Sequence, residues 1–251
     1  MATCNTERFI GQGIVYVAPR ASNGSINGGW TQLGDTEKLE VTTNQNFVDD
    51  YESCSGNRSI ALHIPIQTDW AMNVDAKSFS KENLARAFYG TATAVAGSTV
   101  VGETLTAYAL NQIIPLEFAD VSAVTLKKGV TTLVADTDYT LDAKNGTVTI
   151  ISATNVTPFP ATLTVDYTYA AQEKVAANTT TIAEYAFRFE GINLATQKNV
   201  IVSLHRVSLD LSQALSLIGT EVNKFTMNGM LLPDPDAGVG DSQYMTIVKT
   251  L

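Results

Sequence analysis

The chain has 251 residues, 45% of them hydrophobic, and a formal net charge of −9. That content is enough to bury a core in one large domain or in two smaller ones, and it excludes a disordered chain. The acidic balance opposes stable nucleic-acid binding, because affinity for phosphate comes from counterions released at clustered Lys and Arg. No such cluster is present, and the longest basic run, Lys127-Lys128, precedes Gly129 and reads as a solvated hairpin turn. No apolar run approaches a bilayer span, and Met1 to Val17 lacks a basic start followed by an apolar stretch. The expectation is a soluble chain with no membrane partner and no export signal. Cys4 and Cys54 are too few to staple a chain of this size, so both are expected to be reduced, structural thiols.

In chain order, the first predicted element is a strand over Gly13 to Ala18. A Gly/Ser/Asn loop from Arg20 to Gly29 leads to Trp30 and to a second alternating strand over Lys38 to Thr42. Asn44 to Asn57 ("NQNFVDDYESCSGN") reads as a long connection in which Phe47, Val48 and Tyr51 sit beside Asp49, Asp50 and Glu52. Apolar side chains in a long exposed loop are costly, so this loop is expected to dock on something.

Ser59 to Asp75 ("SIALHIPIQTDWAMNVD") sorts by parity: Ile60, Leu62, Ile64, Ile66, Trp70, Met72 and Val74 fall on even positions, His63, Gln67, Asp69, Asn73 and Asp75 on odd ones. A period of two predicts one strand with an apolar and a polar face, about 50 Å long at 3.3 Å per residue. Its even face is expected to pack inside the subunit. Pro65 cannot donate a ladder hydrogen bond, which places it at a sheet edge or at a bulge. A one-residue bulge there would exchange the faces beyond it.

Ser80 is a predicted N-cap for a single helix in "KENLARAFYG", with Leu84, Ala87 and Phe88 on one face and Gly90 as its stop. Thr91 to Thr106 and Gln172 to Thr181 are small and polar and read as seams around an insertion. Between them, Val124 to Leu126, Tyr139 to Leu141, Thr147 to Ile151 and Thr162 to Tyr169 read as strands, with turns at Lys128-Gly129 and Asn145-Gly146. The predicted organisation is therefore a first part over 1–98, an inserted β-sandwich-like surface domain over 99–171, and a second part over 172–251. In that last part Ala183 to Glu190, Val200 to Leu211 and Phe225 to Leu232 are predicted strands. A terminal arm carrying Tyr244, Met245, Ile247 and Val248 is expected to pair late or with a neighbour.

Chemistry is sparse. His63 and His205 are the only histidines, both inside strand patterns, and no HExxH, GxSxG or CxxC spacing occurs. Asp136, Asp138 and Asp142 start like a calcium loop, but Thr140 and Leu141 stand where a ligand and a glycine belong. Gly240-Asp241-Ser242 lies in the terminal arm, and Gly11-x-Gly13 precedes a strand instead of opening a helix. The expectation is no enzyme, no metal and no cofactor.

The order of features resembles the tail tube (major tail) proteins of long-tailed, siphovirus-type bacteriophages. The residues that carry the resemblance are "WTQLGDTEKLEV" (Trp30 to Val41), the long loop and long strand, the helix "KENLARAFYG", and Tyr185 to Asp234 with its "VIVSLHRVSL" and "FTMNGMLL" strands. The family implies a mainly β subunit, a barrel or sandwich with one flanking helix, here with an added sandwich-like domain. It further implies hexameric rings stacked into a tube, in which neighbours supply the ladder that an over-long strand lacks. Partners would then be further copies of the chain and the tail completion, baseplate and tape-measure proteins, in a virion tail assembled in the bacterial cytoplasm. DNA would pass through without specific binding. On this reading Phe47, Val48, Asp49, Asp50 and Tyr51 join ring to ring, Asp69 and Asp75 are candidates for an acidic lumen wall that repels phosphate, and Tyr244 to Val248 is a second contact. The alternative is an extracellular β-sandwich adhesin or carbohydrate-binding module. It is opposed by the lack of an export signal and by Trp30 and Trp70, both of which are expected to be packed.

Overall fold

The computed structural model describes residues 8–21, 25–54, 56–181, 183–212, 214–238 and 240–250. The first elements are β1 (Gly11–Pro19), β2 (Thr31–Gln32), β3 (Thr36–Tyr51), β4 (Ile60–Ala76), α1 (Lys81–Ala87) and β5 (Thr91–Val95). Then come β6 (Ser98–Ala107), β7 (Ile113–Pro115), β8 (Val121–Lys128), β9 (Thr131–Thr132), β10 (Tyr139–Asp142), β11 (Thr147–Ile150) and β12 (Ala161–Tyr169). The chain closes with β13 (Gln172–Ala176), β14 (Glu184–Asn193), β15 (Lys198–Leu209), β16 (Phe225–Leu231) and β17 (Met245–Lys249). It is mainly β, with a single helix among the described residues and several antiparallel sheets.

Two compact units result, Met1–Ala92 with Val175–Leu251, and Thr93–Lys174. The boundaries fall within β5 and β13, which pair with each other. The segments read as seams thus contain strand, β5 and most of β6 in the first and β13 in the second.

The strands of the first unit form one sheet in the order β2-β1-β14-β15-β16-β4-β3, with β17 also on β15. Its inner face carries Val15, Val17, Met72, Val74, Phe187, Leu204, Phe225 and Met227 in one core cluster, which Ala87 of the helix joins. The alternation seen in the sequence is thus the pleat of this sheet. In α1 the Ser80 side chain accepts from the Asn83 N–H, as its N-cap position requires. The buried helix positions are Asn83 and Ala87, and Leu84 is only half-buried. Asn83 is buried because its amide donates to the carbonyl oxygens of Leu33 and Ser78 while its oxygen accepts from Arg86. The helix stops just before Gly90, and the left-handed residue after it is Tyr89, at φ +48. Gly90 answers a different need: a Cβ there would lie 2.5 Å from the Ala176 carbonyl oxygen.

The second unit encloses one core between the sheets β6-β12-β8-β9 and β10-β11-β7, with Leu105, Leu126, Leu163 and Val165 facing Ile114, Tyr139, Val148 and Ile150. Gly146, at φ +62, makes the Asn145-Gly146 turn, and a Cβ there would come within 2.2 Å of the Phe118 carbonyl oxygen. Lys127 and Lys128 flank a hairpin turn as read, but they are not simply solvated. Lys127 pairs with Asp166 at 2.9 Å, and the Lys128 ammonium donates to the Val156 and Thr157 carbonyls.

Candidate functional site

The segment read as a loop over Asn44 to Asn57 is mostly strand. Phe47, Val48, Asp49, Asp50 and Tyr51 belong to β3, paired in antiparallel register with Pro65, Ile64, His63, Leu62 and Ile60 of β4. Asn and Asp are poor strand formers, but a seventeen-residue partner offers a complete ladder, and cross-strand pairing overrides local propensity. The connection is thereby reduced to the tip between Tyr51 and Ile60.

Only the base of this long hairpin is anchored. β16 pairs with Ala71 to Ala76 of β4 and reaches no further, so among the described residues the rest of the ribbon has no strand paired on that side. The even face of β4 consequently packs inside only at Met72, Val74 and Ala76; Ile60, Leu62, Ile64 and Ile66 are each between 46% and 64% exposed. This corrects the expectation that Ile60 to Val74 would all be internal. Pro65 lies at both a free edge and a bulge: Asn46 pairs with Gln67, Phe47 with Pro65, and Ile66 is left over. The faces exchange there as expected. The side that carries Leu39, Val41, Met72 and Val74 at the base carries Phe47, Asp49, His63 and Pro65 beyond the bulge. The other side carries Asp75, Asn73 and Asp69 at the base, then Ile64, Leu62 and Val48.

Both faces of the distal ribbon therefore combine apolar and acidic groups. Phe47 stacks on His63 with ring centroids 4.2 Å apart, and His63 Nδ1 lies 2.5 Å from Asp49. Ser59 donates to Glu52 across the tip. A two-stranded ribbon is marginal on its own in water, and seven large apolar side chains, Phe47, Val48, Tyr51, Ile60, Leu62, Ile64 and Ile66, remain exposed on it.

The lumen candidates Asp69 and Asp75 do share one face, as their parity requires. Neither stands as a bare charge. Asp69 accepts from Gln67 at 2.7 Å, and Asp75 accepts from the Thr226 hydroxyl at 2.6 Å and faces Lys224 at 3.6 Å. Lys224 also reaches Glu37 at 3.4 Å, and these carboxylates, Glu37 foremost, raise its ammonium above the ordinary lysine value. Lys38 pairs with Glu40 and Lys77 with Glu37. The base of the hairpin is thus polar with charges largely balanced.

The terminal arm is not free either. Met245, Ile247 and Val248 form β17 on β15 of the same chain, in register with Leu204, Val202 and Ile201, and Tyr244 stacks on Trp70 at 5.8 Å. The approach to this arm is clamped by Arg20, which donates twice to Asp234, at 2.8 and 2.9 Å. Beside it Arg206 is bidentate to Glu184. Arg20 holds the Asp234 carboxyl below its usual range, and Arg206 does the same for Glu184. No spacing in the sequence points to these pairs, whose members lie far apart along the chain.

The remaining candidates make local hydrogen bonds. Asp138 is buried and accepts from the Val134 N–H and Asn155, while Asp142 caps the Asn145 turn. Ser242 accepts from the Tyr244 and Met245 N–H groups. His205 lies 2.9 Å from the Thr246 hydroxyl. Cys54 is a free, exposed thiol at the hairpin tip and so is not a core residue; Cys4 lies outside the described residues. Trp70 is half-buried, but Trp30 is 41% exposed and is not packed as expected. Among the described residues, no helix is long and apolar enough to cross a membrane.

The chain belongs to the family described as Protein of unknown function UCP028589, whose model matches residues 8–248. No curated protein matches it.

Proposed function

For this member of the family we propose a structural role: a self-assembling subunit, the tail tube protein of a long-tailed bacteriophage. Hexameric rings of it stack into a tube in the virion tail, alongside tail completion, baseplate and tape-measure proteins. The observation that carries the reading is the anchored hairpin whose distal half exposes apolar side chains on both faces. Such a surface is costly in a lone molecule and is stabilised when another copy covers it. The contact combines an apolar centre with a rim of Asp49, Asp50 and Glu52, the anatomy of a specific interface. The outer edge of β3, sixteen residues long and unpaired in this sheet, offers a ladder to a neighbouring subunit. The polar base face, with Asp69, Asn73 and Asp75, suits a lumen wall, since balanced charges on a chain of net charge −9 give sliding DNA no cationic grip.

Electron microscopy and sedimentation of the concentrated protein test this. Rings or tubes with a constant cross-section are expected. A strictly monomeric protein at every concentration would remove the proposal.

A further inference from the structure

On the same face of the sheet as Asn73 and Asp75, but towards its β1–β2 edge, is a recess of about 330 Å³ whose lining includes Arg20, Trp30, Ser203, His205, Asp234 and Asp236. At its deep end the Arg20 charge is matched by the bidentate pair with Asp234, with side chains only 4% and 11% exposed, while the buried Arg20 Nε has no partner among the described residues. Its outer wall is open: Trp30 exposes part of its indole, and Asp236 is exposed with no cation on its carboxylate among the described residues. An indole beside an unneutralised carboxylate is a receptor for a cation, and best for a planar guanidinium that can stack and donate at once.

The hairpin tip carries such a group. Arg58 is exposed, sits at φ +46 in the connection between β3 and β4, and makes no hydrogen bond or ion pair among the described residues. Among the described residues of the hairpin tip it is the one cation. The tip and the recess lie at opposite ends of the sheet. Through four antiparallel steps β4 runs in the same sense as β1; the tip precedes the start of β4, and Arg20 follows the end of β1. A single molecule thus offers a donor at one end and an acceptor towards the other, the requirement for a repeating head-to-tail contact.

We propose that the Trp30–Asp236 recess receives the Arg58 guanidinium of a second copy of this chain. The proposal rests on the assembly reading above and names the receptor for its hairpin. Charge reversal tests it, read as the concentration at which the full chain associates in sedimentation velocity. Arg58→Asp and Asp236→Arg should each weaken association at least tenfold, and the two together should restore it to within about threefold of the unaltered chain. Trp30→Ala should weaken association with an unchanged circular dichroism spectrum. Single reversals that associate normally, or a double variant no better than either single, overturn the inference. If Leu62→Ser with Ile64→Ser weakens association while the charge reversals do not, the inference fails and the assembly role stands. An unaltered chain that never associates overturns both.

Discussion

Replacing Leu62 and Ile64 together by Ser removes apolar surface from the face of the hairpin that also carries Val48. Both side chains are about half exposed in the isolated subunit. Covering the exposed half of such a side chain recovers about half of the roughly 1.5–3 kcal/mol that complete burial provides, or about 1 kcal/mol each. The pair therefore stabilises each contact by about 2 kcal/mol, which corresponds to roughly a 30-fold rise in the concentration needed for assembly when it is removed. Neither residue belongs to the core cluster of this unit, so the subunit should keep its thermal unfolding temperature. The assay is pelleting of assembled material over a concentration series, with thermal unfolding monitored by circular dichroism on the unassembled fraction. An unchanged assembly threshold would refute an interface at this face. A markedly lowered unfolding temperature would show instead that these side chains support the subunit itself.

Other outcomes follow from the same geometry. Asn83→Ala should destabilise the first unit by about 2–3 kcal/mol in urea unfolding, because the Leu33 and Ser78 carbonyls and the Arg86 guanidinium each lose a partner. Asp234 and Glu184 have lowered pKa values in the folded chain, so the stability they contribute is present above their unfolded values, near pH 4, and is lost as pH falls through the folded ones. Urea midpoints should therefore decline below about pH 4. Asp234→Asn should flatten that decline and cost about 3 kcal/mol or more at neutral pH, since it leaves Arg20 buried without its anion. Replacing 97–171 by a short turn that joins β5 directly to β13 should leave a soluble, assembling first unit, which sedimentation checks; aggregation would show that unit to depend on the second. Phe47→Ala with Tyr51→Ala should also raise the assembly threshold, with far-ultraviolet circular dichroism retained.

Local periodicity accounts for much of this fold in the sequence itself. The parity of Ile60 to Val74, the break at Pro65, the Ser80 cap and the Asn145-Gly146 turn each depend on a residue and its near neighbours, and each appears where its chemistry requires. What periodicity cannot supply is the partner. Phe47 to Tyr51 read as a loop because Asn and Asp around them disfavour a strand, and only the facing length of β4 makes the ladder worthwhile. The apolar parity of Ile60 to Ile66 indicated a strand but not burial, because burial depends on how far β16 extends, and β16 stops at Leu231. Likewise Asp75 read as a free acid until Lys224 and Thr226 were brought beside it, and Arg20 read as a loop residue until Asp234 closed on it. Short-range order follows from backbone and side-chain sterics within a few residues. Exposure, charge balance and the recess at Trp30 follow from contacts between residues more than a hundred positions apart, which only the folded sheet creates.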